Sequence, residues 1–133
     1  EILLENYAKI IRIEAMTMLE MVRRDYLPAV MDYSAHLAQN LTAKEQAGMN
    51  VSVEKKQCMT LSNLACEMDE AQQGLKNTVD EMDRMATPYE RANACYDRVY
   101  QDMARLRKAV DDAEWLMASK YWPYPTYSDL LFY

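Results

Sequence analysis

The sequence predicts an all-α protein: an up-down-up antiparallel three-helix bundle with long helices and an extended aromatic C-terminal tail. Three observations carry this. Two glycines and four prolines among 133 residues are too few for the turns that sheets and open loops need. Three stretches repeat apolar residues at steps of three and four, the helical period. The connections between them, near 48–51 and 86–88, are so short that neighbouring helices must run antiparallel.

The first helix is expected over 2–47. Its stripe starts at Leu4, Tyr7, Ile11, Ala15, Met18 and Val22 and continues through Tyr26, Ala29, Tyr33 and Leu37. Pro28 sits inside that stripe. It lacks a backbone donor and crowds the carbonyl of Arg24, so a kink between Arg24 and Pro28 is expected rather than a stop. Gly48 offers a C-terminal cap. This helix is long enough to overhang the other two.

The second helix is expected over 51–86, capped by Asn50 or Ser52. Its seam begins Leu61, Leu64, Met68, Ala71, Leu75 and runs on to Thr78, Met82 and Met85. Gly74 interrupts it at a cost of about 1 kcal/mol relative to alanine, and close approach of a neighbouring helix would explain it. The third helix is expected over 88–120. "TPYE" opens it, with Thr87 as the cap, Pro88 as the first helical residue and Glu90 completing a capping box. Its stripe includes Tyr89, Ala92, Tyr96, Val99, Met103 and Leu106, then Val110, Ala113 and Met117.

The tail, 121–133, is unusual. Solvated tails are poor in aromatics, yet this one carries Tyr121, Trp122, Tyr124, Tyr127, Phe132 and Tyr133. Pro123 and Pro125 bias the residues before them toward extended backbone. The strip is expected to fold back on the bundle with Trp122 as anchor. Its candidate docking residues are Tyr121, Trp122, Pro123, Tyr124 and Pro125, continued by Tyr127, Leu130, Leu131 and Phe132.

Composition narrows the function. The length suits one domain, 1–133, with a core that needs no metal or disulfide. A net charge of −6 disfavours nucleic acid and anionic membrane surfaces as partners. No apolar run nears the roughly 20 residues of a membrane span. Cys58, Cys66 and Cys95 form no CxxC pair and read as free thiols in a reducing, cytoplasmic setting. The chain begins on "EILLENYAKI", without methionine and already helical, as a piece of a longer protein would. His36, the single histidine, has only Asp32 and Tyr33 at helical spacing, short of a ligand set. No glycine-rich phosphate loop or nucleophile–base set is present. Catalytic, cofactor-binding and metal residues are therefore expected to be none. The acidic run Glu67, Asp69, Glu70, Asp80, Glu81 and Asp83 reads as a solvated face or a surface for a complementary partner. The methionine-rich seams read as core rather than as an adaptable groove.

Two stretches then resemble a known family. "IRIEAMTMLEMVRRDYLPAVMDYS", from Ile11 to Ser34, resembles the first helix after the catalytic core of type III glutamine synthetases. "LRKAVDDAEWLMASKYWPYPTYSDLLFY", from Leu106 to Tyr133, resembles the last helix and terminus of the same family. Ser128 stands where that family has glycine. The resemblance implies a parent enzyme that makes glutamine from glutamate and ammonia with ATP and a divalent cation such as Mg. It also implies a large oligomer of stacked rings, with the ATP, metal and glutamate sites upstream in the catalytic core. This chain would be its C-terminal structural and assembly domain, without a cofactor of its own. Its partners would be the catalytic core and neighbouring subunits, and the isolated chain is expected to self-associate. The rival from another class is a freestanding helical adaptor that binds a protein through its aromatic tail. A bundle enzyme that binds a metal or small molecule is the third.

Overall fold

Three long helices account for almost all of the computed structural model, which describes residues 2–125. No strand occurs among the described residues. Helix α1 joins two α-helical stretches, Ile2–Met21 and Leu27–Gln46, through a π-helical turn at Val22–Tyr26. Helix α2 is Ser52–Asp83. Helix α3 runs as Pro88–Ala94, a second π-helical turn at Cys95–Val99, and Tyr100–Leu116. A 3₁₀ turn, Ser119–Tyr121, follows.

The irregularity expected between Arg24 and Pro28 takes the form of a π turn at Val22–Tyr26, which overlaps that stretch and starts two residues before it. Pro28 has no N–H for the α-helical ladder, and widening the preceding turn lets the Leu27 N–H reach the Val22 carbonyl instead. The extra residue shifts the phase of the stripe. After the turn it is Val30, not Ala29, that is fully buried, and Leu37 follows it. The same displacement affects α3. Cys95 is buried where Tyr96 was expected, and Tyr96 and Tyr89 lie on the surface. The core is one cluster drawn from all three helices. Its fully enclosed members include Val22 and Val30 of α1, Leu61, Met68 and Leu75 of α2, and Leu106 of α3. No polar side chain is buried among the described residues.

Ion pairs tie the helices together in reversed order. Lys44 meets Glu54 at 2.5 Å beside the first connection, and Arg12 grips Asp83 through two bonds of 2.9 and 3.0 Å at the far end. Arg98 reaches Glu81 at 2.6 Å, and Arg105 reaches Glu67 at 2.7 Å. The acidic run of α2 is thus met from within the chain. Asp80 adds a pair with Lys76, and Asp69 accepts from Gln72 and Gln73. Arginine hydrogen bonds hold the Glu67 carboxyl below its usual range and raise the Arg12 and Arg105 guanidiniums.

Helix ends follow local chemistry. The Asn50 carboxamide oxygen accepts from the Ser52 N–H at 3.0 Å. The Thr87 hydroxyl accepts from the Glu90 N–H at 3.2 Å, while the Glu90 carboxylate reaches back to the Ala86 N–H. At the end of α1 the Met49 N–H bonds the Lys44 carbonyl and the Gly48 N–H bonds that of Glu45, a Schellman closure around Gly48 at φ +76°. Helix α2 stops at Asp83 rather than near 86, because the Thr87 cap requires extended backbone at φ −122° just beyond.

Gly74 departs from expectation. A Cβ there would meet nothing within 4 Å, so close helix packing does not explain the residue. The two glycines therefore respond to alanine in opposite directions. Gly74→Ala is expected to stabilise the chain by roughly 0.5–1 kcal/mol, by lowering backbone entropy and removing a poor helix former. Gly48→Ala also meets open space but forces a Cβ into the left-handed region, and is expected to cost about 1–2 kcal/mol. Urea melts of the two variants check the pair.

Candidate functional site

Helix α3 ends at Leu116, four residues before the expected Lys120. Met117 and Ala118 are extended, with ψ of 140° and 137°. Helix propensity would let the chain continue; packing decides otherwise, because leaving the helix early brings the following rings over α1. Nor is the start of the tail fully extended: Tyr121 closes the 3₁₀ turn, and the backbone becomes extended again only at Trp122, at φ −87° and ψ 127°, just before Pro123.

The rings pair one by one with side chains of α1. Tyr121 lies on Tyr33 with centroids 4.9 Å apart and stands 5.8 Å from the His36 ring. Trp122 is 8% exposed and packs on Tyr26 at 5.0 Å. Tyr124 packs on the same Tyr26 at 5.2 Å, and its hydroxyl donates to the Asp25 carboxylate at 2.5 Å. All three ring pairs are tilted, an arrangement that suits aromatic quadrupoles. Pro123 and Pro125 are exposed, while Tyr121 and Tyr124 are half-buried. Tyr127, Leu130, Leu131 and Phe132 lie outside the described residues.

The α1 side of this seat comprises Asp25, Tyr26, Tyr33 and His36. Asp25 and Tyr26 belong to the π turn, so the widened turn also presents the tail's principal partners. The sequence places Tyr26 and Tyr33 in the α1 stripe but does not by itself pair any of the four with the tail. The available signal was the pair Tyr26 and Tyr33, two turns apart on one flank, each large enough to receive a ring. His36 is exposed and shares a 3.3 Å hydrogen bond with Asn40. Among the described residues no three His, Cys, Asp or Glu side chains group closely enough to hold a metal ion. No described helix is long and apolar enough to cross a membrane.

Electrostatics make the seat sensitive to alkali. The hydrogen bond to Asp25 pushes the Tyr124 phenol up to about 12, and burial pushes the Tyr26 phenol up as well. A phenol whose folded value exceeds its unfolded value of 10 stabilises the fold fully below that pH. The contribution disappears as pH rises through about 12. Phenolate absorbance should therefore show one tyrosine that titrates near 12 and is missing from Tyr124→Phe. A wild-type titration that superimposes on that variant's would contradict the bond.

The fold and this seat define a class: an all-helical domain in which the rings of Tyr121, Trp122 and Tyr124 lie on the first helix. The glutamine synthetase C-terminal domain model matches residues 1–45, which include every α1 residue of the seat. Over 134 residues the chain is 36% identical to the glutamine synthetase of Butyrivibrio fibrisolvens, covering 99% of the chain and 19% of that protein. Over 138 residues it is 28% identical to the type-3 glutamine synthetase of Dictyostelium discoideum, covering the same 99% and 19%. The chain thus spans about a fifth of the length of these curated relatives. No solved structure matches it. The chain belongs to the glutamine synthetase C-terminal domain family, with a type-3 enzyme among its relatives.

Proposed function

We propose that this chain is the C-terminal structural and assembly domain of a type III glutamine synthetase. In this reading the three helices form an up-down-up bundle that the aromatic tail clasps. The parent enzyme ligates ammonia to glutamate in the cytoplasm, using ATP and a divalent cation such as Mg. Its active-site groups lie in a catalytic core outside this chain, and the domain packs against that core and against neighbouring subunits.

One observation carries the reading: the seating of Tyr121, Trp122 and Tyr124 on α1. Three rings seated against a helix fix the course of residues 121–124. It also leaves the exposed Pro123 and Pro125 edge as a stiff, low-entropy surface for a neighbour. Deleting residues 121–133 from a full-length parent tests this. The expected result, by light scattering and thermal melting, is a smaller assembly with a lower Tm. Unchanged size and Tm would contradict the assembly role.

A further inference from the structure

Helices α1 and α3 expose large apolar side chains along the flanks by which they meet. On α1 these are Leu3, Tyr7 and Ile10, exposed by 82%, 38% and 56%. On α3 they are Tyr89, Tyr96 and Tyr100, exposed by 64%, 75% and 62%. Helical spacing places the two rows side by side. Leu3, Tyr7 and Ile10 continue at steps of four, three and four to Glu14. Tyr100 continues at steps of three and four through Met103 to Arg107, and the π turn at Cys95–Val99 turns Tyr96, four residues before Tyr100, outward from the core. Glu14, Met103 and Arg107 line one groove of about 500 Å³ between the two helices. Tyr89 lies two turns before Tyr96 on the same flank. The six side chains therefore form one face, which begins where that groove ends.

Its size and composition point to an interface. Four tyrosines and two aliphatics at these exposures offer on the order of 600–800 Å². Typical monomer surfaces keep contiguous apolar patches below that range, and one partner of a standard interface contributes about 800 Å². Tyrosine is also enriched at interfaces. The polar residues that border the rows are Asn6, Asn93, Glu14 and Asp97, with Arg107 in the same groove as Glu14. Among the described residues neither carboxylate is in an ion pair. A second copy would double both carboxylates on a chain of net charge −6. A partner with an apolar centre and lysine or arginine at its rim would complement them.

We propose that this face seats another part of the parent polypeptide, one of the regions that make its relatives about five times longer than this chain, through an apolar surface rimmed by cations. The proposal rests on the assembly reading above and names the surface that the tail does not supply.

The test uses a full-length parent. Tyr96→Cys is labelled with a maleimide in the native protein and in concentrated urea, and the labelled peptide is quantified by mass spectrometry. Shielding of about tenfold or more is expected in the native protein. Rates within threefold would overturn the proposal. Benzoylphenylalanine at position 96 identifies the occupant. Photo-adducts with peptides outside these 133 residues are expected, while adducts with a second copy of this domain, or none, would overturn it. The tail deletion reads a different surface. Shielding at residue 96 with no effect of that deletion would remove the fastening role of the tail and leave this face standing. An open residue 96 with an effective deletion would do the reverse.

Discussion

Trp122→Ala is expected to destabilise the chain by about 3–5 kcal/mol, with a fall in Tm on the order of 10 °C. The ring is 8% exposed and stacks on Tyr26, so truncation removes the largest side chain of the seat and exposes its aromatic partner. It also loosens the neighbours: Tyr121 and Tyr124 are held on either side of the anchor by Tyr33, Tyr26 and Asp25. Trp115 provides the contrast. It is 88% exposed on the last turns of α3, and Trp115→Ala is expected to change stability by less than about 0.5 kcal/mol. Equal effects of the two substitutions in guanidinium melts would show that Trp122 is not an anchor.

Leu75→Ala is the second large effect, expected at about 3–4 kcal/mol. Leu75 is completely enclosed in the C-terminal half of α2, within the cluster that also holds Val79 and Leu106. Alanine there leaves a cavity that three packed helices cannot collapse to fill. The effect should appear as a shift of the denaturation midpoint with an unchanged slope, since the exposed surface of the unfolded chain hardly changes. The adjacent Gly74→Ala acts in the opposite direction, so two neighbouring alanine substitutions separate core packing from backbone entropy.

Much of the helical pattern was legible in the sequence, for reasons that particular residues make plain. Leu61, Met68, Ala71 and Leu75 of α2 keep a strict heptad, and burial of an apolar seam leaves little freedom to deviate. Thr87, Pro88 and Glu90 each have their own physical reason to begin a helix, and the three reasons coincide. The π turns were not legible. A single added residue changes the phase of a stripe without leaving a composition signal, and Ala29 or Val30 fits the core position equally well by type. The third helix ended early because Tyr121 and Trp122 gain partners on α1, a tertiary effect that no local propensity records. Half of the seat was visible, since rings and prolines together stand out in a tail. The other half was hidden because Tyr26 and Tyr33 also fit the apolar stripe of α1. The partners of the acidic run were missed for a similar reason: Arg98 and Arg105 are seven residues apart on α3, but only the register between helices brings them to Glu81 and Glu67.

The seat itself is tested most directly by a double-mutant cycle between Tyr26→Ala and Trp122→Ala, read by urea unfolding. If the tail closes on α1 through this pair, the loss in the double variant falls short of the sum of the two single losses by an interaction energy of about 0.5–1.5 kcal/mol. Additive losses, within about 0.3 kcal/mol, would contradict the contact and with it the claim that the C-terminal strip is fastened to the π turn of the first helix.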